Sequence, residues 1–258
     1  MGKLGITVTG NNITATPILF LHGVGSDRSA WGPQLTHFAR ERRAIAIDYP
    51  GYGDTDPHPN ATRDDFAHAA IEALDSLEID RAHICGLSLG GVVAIAIHHL
   101  APTRCASLII ADSFAVHPDG AAIHQRSVDA SRAMSMRALA EARASTLLGA
   151  DASQAIRDEV IETMGRIDPK AYRLGAAAVW LADQRVRAAA IDVPTLVIVG
   201  DEDRITPPEL SDDLATLIAG ARSATIARAG HLANLEQPDA FNRAIDQFLS
   251  EIEQTDKG

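Results

Sequence analysis

The 258-residue sequence lacks the features that mark secreted or nucleic-acid-binding proteins. Its two cysteines, Cys85 and Cys105, are too few for a disulfide framework or a four-thiolate zinc site, which suits a reducing cytoplasm. It has 23 basic against 34 acidic side chains and a net charge of −11, whereas binding to nucleic acid or an anionic membrane needs a basic surface. We therefore expect neither nucleic acid nor membrane as a partner.

Long apolar segments are missing as well. The longest, residues 92–97 and 193–199, fall far below the roughly 20 residues that cross a bilayer. Residues 1–8 lack the apolar stretch of about 7–15 residues found in a signal peptide. We expect a cytoplasmic protein, and the 46% hydrophobic and 22% charged fractions are typical of a globular domain.

Short β-branched segments alternate with longer segments that favour helices. This alternation predicts an α/β fold with a mostly parallel central sheet and helices on both faces. Each predicted strand ends in a glycine or polar cluster, and the carboxyl ends of parallel strands share one edge, where ligands bind. The predicted strands are residues 17–21, 44–47, 82–85, 107–111, 195–199 and 223–227.

Residues 114–192 interrupt this alternation with an alanine-rich segment that carries no strand pattern. Because such a segment is too long for a loop, we predict a helical cap over the active edge of the sheet. Residues 1–113 and 193–258 then form the core. The alternative is that the segment forms ordinary helices packed on a face of the sheet.

Residues 86–91 (GLSLGG) follow a predicted strand and precede an apolar helix. This is the context that a G-x-S-x-G nucleophile turn requires, with Ser88 at its corner. Small residues are needed on both sides of the serine, and Gly86 and Gly90 provide them. The alternative is a glycine-rich turn without a catalytic role. A phosphate-binding loop is excluded, because no lysine follows these glycines.

A serine nucleophile needs a base and an acid that orients the base. Among ten histidines, only His231 follows a late strand in a Gly-His turn, whereas the other histidines have no comparable setting. Asp203 follows the strand at residues 195–199 and is the favoured acid, because it lies deep enough in its turn to reach an imidazole. Asp112 and Asp201 remain alternatives.

An acyl-transfer reaction also needs N–H donors for the developing oxyanion. Residues 22–25 (HGVG) end the first predicted strand with two glycines that would let the backbone approach a substrate. We predict that the N–H groups of Val24 and Leu89 form the oxyanion hole. The alternative for residues 22–25 is a plain glycine turn.

Neither a metal nor a cofactor is predicted. Asp201 and Asp203 form an Asp-x-Asp pair, but further ligands at metal-binding spacing are missing.

Five segments together resemble the α/β-hydrolase superfamily over nearly the whole chain. The resemblance implies that fold and a Ser-Asp-His triad, and the superfamily's Gly-x-x-Asp-x-x-x-Pro pattern matches residues 200–207, which supports Asp203. The matching segments are residues 20–23 (FLHG), 47–56 (IDYPGYGDTD), 86–91 (GLSLGG), 194–203 (PTLVIVGDED) and 230–238 (GHLANLEQP).

Within the superfamily, residues 86–91 and 231–238 look most like 3-oxoadipate enol-lactonases and relatives that hydrolyse small carboxylated esters, lactones and amides. The resemblance implies a catabolic serine hydrolase that cleaves a small ester, enol-lactone, lactone or activated amide through an acyl-enzyme. Enol-lactonases often have Asn-Ser where this chain has His22-Gly23. Carbon–carbon hydrolases of meta-cleavage pathways, cofactor-free haloperoxidase-like esterases and a ligand receptor on the same fold remain alternatives.

Candidate substrate-binding residues come from the cap and from the first glycine loop. Arg126, Arg132 and Arg137 could pair with a substrate carboxylate, although their spacing does not keep them on one helical face. Trp180, His22 and Gly23 complete this set. We expect a small-molecule substrate as the partner, and the sequence is compatible with a homo-oligomer.

Overall fold

The computed structural model describes residues 2–12 and 14–255. The strands are β1 (Ile6–Thr9), β2 (Ile18–Leu21), β3 (Ala44–Ile47), β4 (Ala82–Leu87), β5 (Cys105–Ala111), β6 (Thr195–Gly200) and β7 (Arg222–Ile226). They form a seven-stranded sheet in the order β1-β3-β2-β4-β5-β6-β7. β1 pairs antiparallel with β3, and every other neighbouring pair is parallel. The predicted fold class is confirmed, and β1 adds an edge strand outside the predicted set.

Helices cover both faces of the sheet. They are α1 (Gly32–Phe38), α2 (Arg63–Ser76), α3 (Leu89–Leu100), α4 (Gly120–Ala133), α5 (Met136–Leu147), α6 (Gln154–Gly165), α7 (Pro169–Trp180), α8 (Arg185–Ala189), α9 (Pro208–Leu217), α10 (Ala233–Glu236) and α11 (Pro238–Thr255). Successive strand residues point to opposite faces. On β2, Leu19 packs in the core that includes Phe66 of α2, while Phe20 packs in the core that includes Phe38 of α1. The central strands are therefore buried on both sides, which explains their uninterrupted apolar sequences.

Five helices, α4 to α8, lie between β5 and β6. An isolated β-bridge between Val116 and Asp183 joins the two ends of this segment. α8 packs against α3 and α9 of the core, and Arg187 on α8 donates to both carboxylate oxygens of Asp64 on α2, at 2.6 and 2.9 Å. The predicted limits of the cap at residues 114 and 192 stay a prediction. No helix in residues 2–12 and 14–255 is both long and apolar enough to span a membrane.

Candidate active site

Ser88 forms the sharp turn between β4 and α3. Its backbone has φ +57° and ψ −115°, a conformation that costs a non-glycine residue about 1–3 kcal/mol. Two hydrogen bonds hold this turn in place: Ser88 N–H donates to the Ala111 carbonyl at 2.9 Å, and Ser113 Oγ donates to the Ser88 carbonyl at 2.8 Å. The surrounding strands thus stabilise a strained backbone at the predicted nucleophile.

The two motif glycines are required by close backbone packing. A Cβ atom at Gly86 would overlap the Gly90 carbonyl, and a Cβ atom at Gly90 would overlap the Leu21 carbonyl. The turn therefore leaves no room for a side chain at either motif glycine. This is the physical reason for the G-x-S-x-G spacing.

His231 and Asp203 form a buried hydrogen-bonded pair, with His231 Nδ1 2.8 Å from Asp203 Oδ2. Each residue is 4% exposed. Asp203 also accepts the N–H groups of Ile205 and Thr206 at 2.8 and 3.0 Å and the Thr206 hydroxyl at 2.7 Å. Burial opposes ionisation of Asp203, but His231 and the hydrogen bonds outweigh it and lower the pKa of this carboxyl. Of the three acids considered, the structure places Asp203 on the imidazole.

The two alternative acids occupy other positions. Asp112 is fully buried at φ +47°, and its Oδ1 accepts the Gly200 N–H at 2.8 Å. Its Oδ2 has no partner among the described residues. Burial and the neighbouring Asp203 raise the pKa of Asp112 well above its usual value, which favours the neutral form of this carboxyl. Asp201 is exposed, and its Oδ1 accepts the Ala229 N–H at 3.4 Å as a turn former does.

Ser88 and His231 line one cavity between the nucleophile turn and the inserted helices. Among the described hydrogen bonds, none joins Ser88 Oγ to the His231 ring. Catalytic hydrogen bonds are often long in substrate-free sites and shorten when substrate binds. The apolar part of the cavity wall comes mainly from Leu147, Val160, Met164, Tyr172, Trp180 and Leu235.

The loop after β2 lies against the nucleophile turn. A Cβ atom at Gly23 would lie 3.5 Å from the Ser88 Cβ atom. Leu89 begins α3, so its N–H has no acceptor within the helix. Neither this N–H nor that of Val24 has an acceptor in the described part of the chain. Both N–H groups are therefore free to donate, and their role as the oxyanion hole stays a prediction.

His22 does not line the cavity, and its role as a substrate contact stays a prediction. Its ring is 1% exposed and packs 4.4 Å from the Tyr49 ring. Nδ1 lies 2.8 Å from the Gly23 carbonyl, while Nε2 accepts the Tyr49 N–H at 3.4 Å. Burial lowers the pKa of His22 and so favours the neutral imidazole. Its two ring nitrogens contact the backbone at Gly23 and Tyr49. Gly23, the other candidate in this loop, does line the cavity.

The three predicted cap arginines are exposed and absent from the cavity wall. Arg126 and Arg132 are exposed on α4, and Arg137 pairs with Glu141 at 3.2 Å. The cavity wall thus gives their proposed role in substrate binding no support, and that role stays a prediction. Trp180, another predicted substrate contact, lines the cavity and is stacked on Phe114 with ring centroids 5.7 Å apart.

Arg143 is the arginine that reaches the cavity. It lies on α5, four residues after the buried Leu139 and four before the buried Leu147, and thus shares their face of the helix. Its Nη1 donates to Tyr172 Oη at 3.1 Å. The spacing of apolar residues in α5 could have indicated this position.

Comparisons with known proteins agree with this geometry. The family model described as "Alpha/beta hydrolase family" matches residues 18–244. The 3-oxoadipate enol-lactonase 1 of Acinetobacter baylyi is 27% identical over 241 residues, which cover 93% of this chain and 90% of that protein.

Two further similar proteins are named for other hydrolase activities. The 2-hydroxy-6-oxononadienedioate/2-hydroxy-6-oxononatrienedioate hydrolase of Cupriavidus pinatubonensis is 28% identical over 91% of this chain and 87% of its own. The structure of a thermophilic esterase from Thermogutta terrifontis, with malate bound, superposes with a TM-score of 0.90 at 27% identity, covering 97% of this chain and 94% of that one. The chain therefore belongs to the alpha/beta hydrolase family and is a hydrolase that resembles the enol-lactonases.

Proposed function

We propose that the protein cleaves a small ester, lactone or activated amide through an acyl-enzyme on Ser88. The observation that carries this proposal is the buried His231–Asp203 pair, 2.8 Å apart, in which His231 lines the same cavity as Ser88. Two N–H groups without acceptors beside Ser88 add a site for negative charge. A base, a nucleophile and oxyanion donors in one cavity are the parts that acyl transfer needs.

In the proposed reaction, Ser88 Oγ attacks the substrate carbonyl carbon while His231 Nε2 takes the hydroxyl proton. Asp203 holds the Nδ1–H tautomer and stabilises the imidazolium that forms. The carbonyl oxygen becomes an oxyanion and accepts the N–H groups of Val24 and Leu89, an interaction for which loss of one donor typically costs about 10²–10³ in rate. The imidazolium then protonates the leaving group, and water releases the acyl group by the same steps.

Arg143 supports a substrate that carries a carboxylate. Its guanidinium enters a largely apolar wall, with the Tyr172 hydroxyl as its neighbour. A guanidinium can bind a carboxylate through two parallel hydrogen bonds. Glu159, the acidic residue on the wall, is exposed and forms no ion pair with Arg143 among the described contacts. The similar esterase binds malate, a dicarboxylate. We therefore extend the proposal to small anionic substrates.

A carbon–carbon bond hydrolase is the second candidate, because the similar Cupriavidus protein is named for a dienedioate or trienedioate substrate. The same triad would serve that reaction, in which the dienol must first ketonise. Ring-fission dienones and short p-nitrophenyl esters, assayed side by side, separate the two candidates. A ligand receptor would instead bind one equivalent of ligand without turnover.

The test compares p-nitrophenyl acetate hydrolysis by the purified wild type, Ser88→Ala and the exposed control Ser250→Ala. A fluorophosphonate probe with peptide mapping locates the reactive serine. The proposal expects turnover and labelling at Ser88 in the wild type and the control, and neither in Ser88→Ala. Equal turnover by all three proteins would refute the proposal.

A further inference from the structure

Glu236 joins the His231 loop to the connector between α5 and α6. It is the last residue of α10 and is 8% exposed. Its Oε1 accepts the N–H groups of Gly230 and Leu232, at 3.0 and 3.3 Å, on the two sides of His231. Its Oε2 accepts the Gly149 N–H of the connector at 2.7 Å. One carboxylate thus binds three backbone amides from two separate parts of the chain.

The same two segments are joined at further points. His231 N–H donates to the Leu147 carbonyl at 2.8 Å. A Cβ atom at Gly230 would lie 2.5 Å from the Gly149 nitrogen, so the two backbones are in direct contact. The connector therefore has little freedom to move independently of the loop that carries the imidazole.

A second carboxylate links the connector to the Asp203 loop. Glu202 Oε2 accepts the Ala150 N–H at 2.7 Å, and Glu202 directly precedes Asp203. Near these hydrogen bonds, Leu148 of the connector and Val160 of α6 pack with Leu235, the residue before Glu236. Both loops that carry the His231–Asp203 pair are thus attached to the same short connector.

A buried carboxylate needs hydrogen-bond donors that replace the water it has lost. Burial, with a contribution from Glu202, raises the pKa of Glu236, and the three amides favour its ionised form. Hydrogen bonds to an ionised acceptor are roughly twice as strong as those between neutral groups. Removing the acceptor would leave buried N–H groups of both segments without a partner, which is costly.

We propose that Glu236 is a positioning residue that fixes the His231 loop to the α5–α6 connector and so keeps the imidazole in its working orientation. This role rests on the proposed function, because it concerns the base of that reaction. Glu236 does not line the cavity, so it acts through the backbone on both sides of His231 rather than on the substrate.

The test uses the nearly isosteric Glu236→Gln, which replaces one acceptor oxygen with an NH₂ donor. Asp239→Asn, an exposed carboxylate-to-amide change three residues away, is the matched control. Active sites are first counted by titration with a fluorophosphonate, and kcat for p-nitrophenyl acetate is then expressed per titrated site. This separates a misplaced base from a loss of folded protein.

We expect kcat per titrated site to fall by about tenfold in Glu236→Gln, with KM within threefold of wild type and Asp239→Asn unchanged. Amide hydrogen exchange should become at least tenfold faster in residues 147–150 and 229–232 and stay unchanged in the central strands. A per-site kcat within threefold of wild type overturns the proposal. A loss explained wholly by fewer titratable sites, or faster exchange throughout the chain, also overturns it.

Amide hydrogen exchange of the wild type gives a second test of the proposal. If Glu236 joins the segments, the amides of Gly149, Gly230 and Leu232 open together and share one protection factor within threefold. Protection factors that differ by more than threefold among the three overturn the proposal. The exchange result does not depend on the proposed function. A wild type that fails to react with the fluorophosphonate refutes the hydrolase mechanism, whereas hydrogen exchange still tests the role of Glu236.

Discussion

His231 Nδ1 lies 2.8 Å from Asp203 Oδ2, and both side chains are buried within the carboxyl edge of the sheet. Asp203 receives three further hydrogen bonds from Ile205 and Thr206, so its position does not depend on His231 alone. A fixed carboxylate at Nδ1 leaves Nε2 of the ring as the acceptor for a proton from Ser88. The pair thus sets the tautomer that the proposed mechanism requires.

Asp203→Asn should therefore lower kcat by about 10³–10⁴, because the amide favours the wrong imidazole tautomer. The measurement is the steady-state hydrolysis of p-nitrophenyl acetate, with circular dichroism to confirm the fold. Asp201→Asn serves as the control, since Asp201 is exposed and does not contact His231. A larger loss in Asp201→Asn than in Asp203→Asn would contradict the assignment.

Arg143→Met should raise KM for a short ester that carries a terminal carboxylate by about tenfold or more, because a charge-assisted hydrogen bond contributes about 1.5–3 kcal/mol. The KM for the uncharged ester of equal length should stay within about twofold. Arg137→Met removes an exposed arginine that pairs with Glu141 and is the matched control. Equal effects of Arg143→Met on the charged and the neutral ester would rule out carboxylate recognition.

The ion pair of Asp64 with Arg187 should stabilise the contact of α2 with α8 in a pH-dependent manner. Arg187 lowers the pKa of Asp64 to about 2, so the stabilisation is present above the usual Asp pKa and is lost as the pH falls towards about 2. Because the pair is partly exposed, we expect Asp64→Asn to lower the free energy of unfolding by only about 0.5–1 kcal/mol at pH 7.

Urea denaturation of wild type and Asp64→Asn between pH 2 and pH 7 measures this difference. The two proteins should converge at the acid end of the range. A constant difference at every pH would show that the charge of Asp64 is not the cause.

Asp112 should behave as a neutral buried acid. Its pKa is raised in the folded protein, so between the unfolded and folded pKa values the folded state holds the extra proton and stability falls as pH rises. Asp112→Asn removes this pH dependence. The free energy of unfolding of the variant minus that of wild type should therefore rise with pH, by up to about 1.4 kcal/mol per pH unit above pH 4. Thermal unfolding from pH 5 to pH 8 measures it. A stability difference that stays constant from pH 5 to pH 8 would contradict a neutral Asp112.

Much of the site could be predicted from sequence because its main residues follow strands. Ser88, Asp203 and His231 each come after a strand of the parallel sheet, and the sheet brings such positions to one edge whatever the details of packing. The glycines around Ser88 add a local signal, because close backbone contacts exclude any other residue.

Other parts depend on how distant elements pack. Arg143 faces the cavity because α5 is rotated by its buried apolar residues, while Arg126 and Arg137 point outwards. His22 is removed from the cavity by packing against Tyr49, a residue from the next strand's end. Glu236 meets Gly149 across 87 positions of sequence, and no local pattern indicates that contact.

The most direct test of the mechanism is to trap the acyl-enzyme. Wild-type protein is mixed with p-nitrophenyl acetate, quenched with acid during turnover, and analysed by intact-mass and peptide mass spectrometry. We expect one acetyl group per chain, located on Ser88, and none in Ser88→Ala. Steady turnover with no acetylated protein, or with the acetyl group on another residue, would contradict the account.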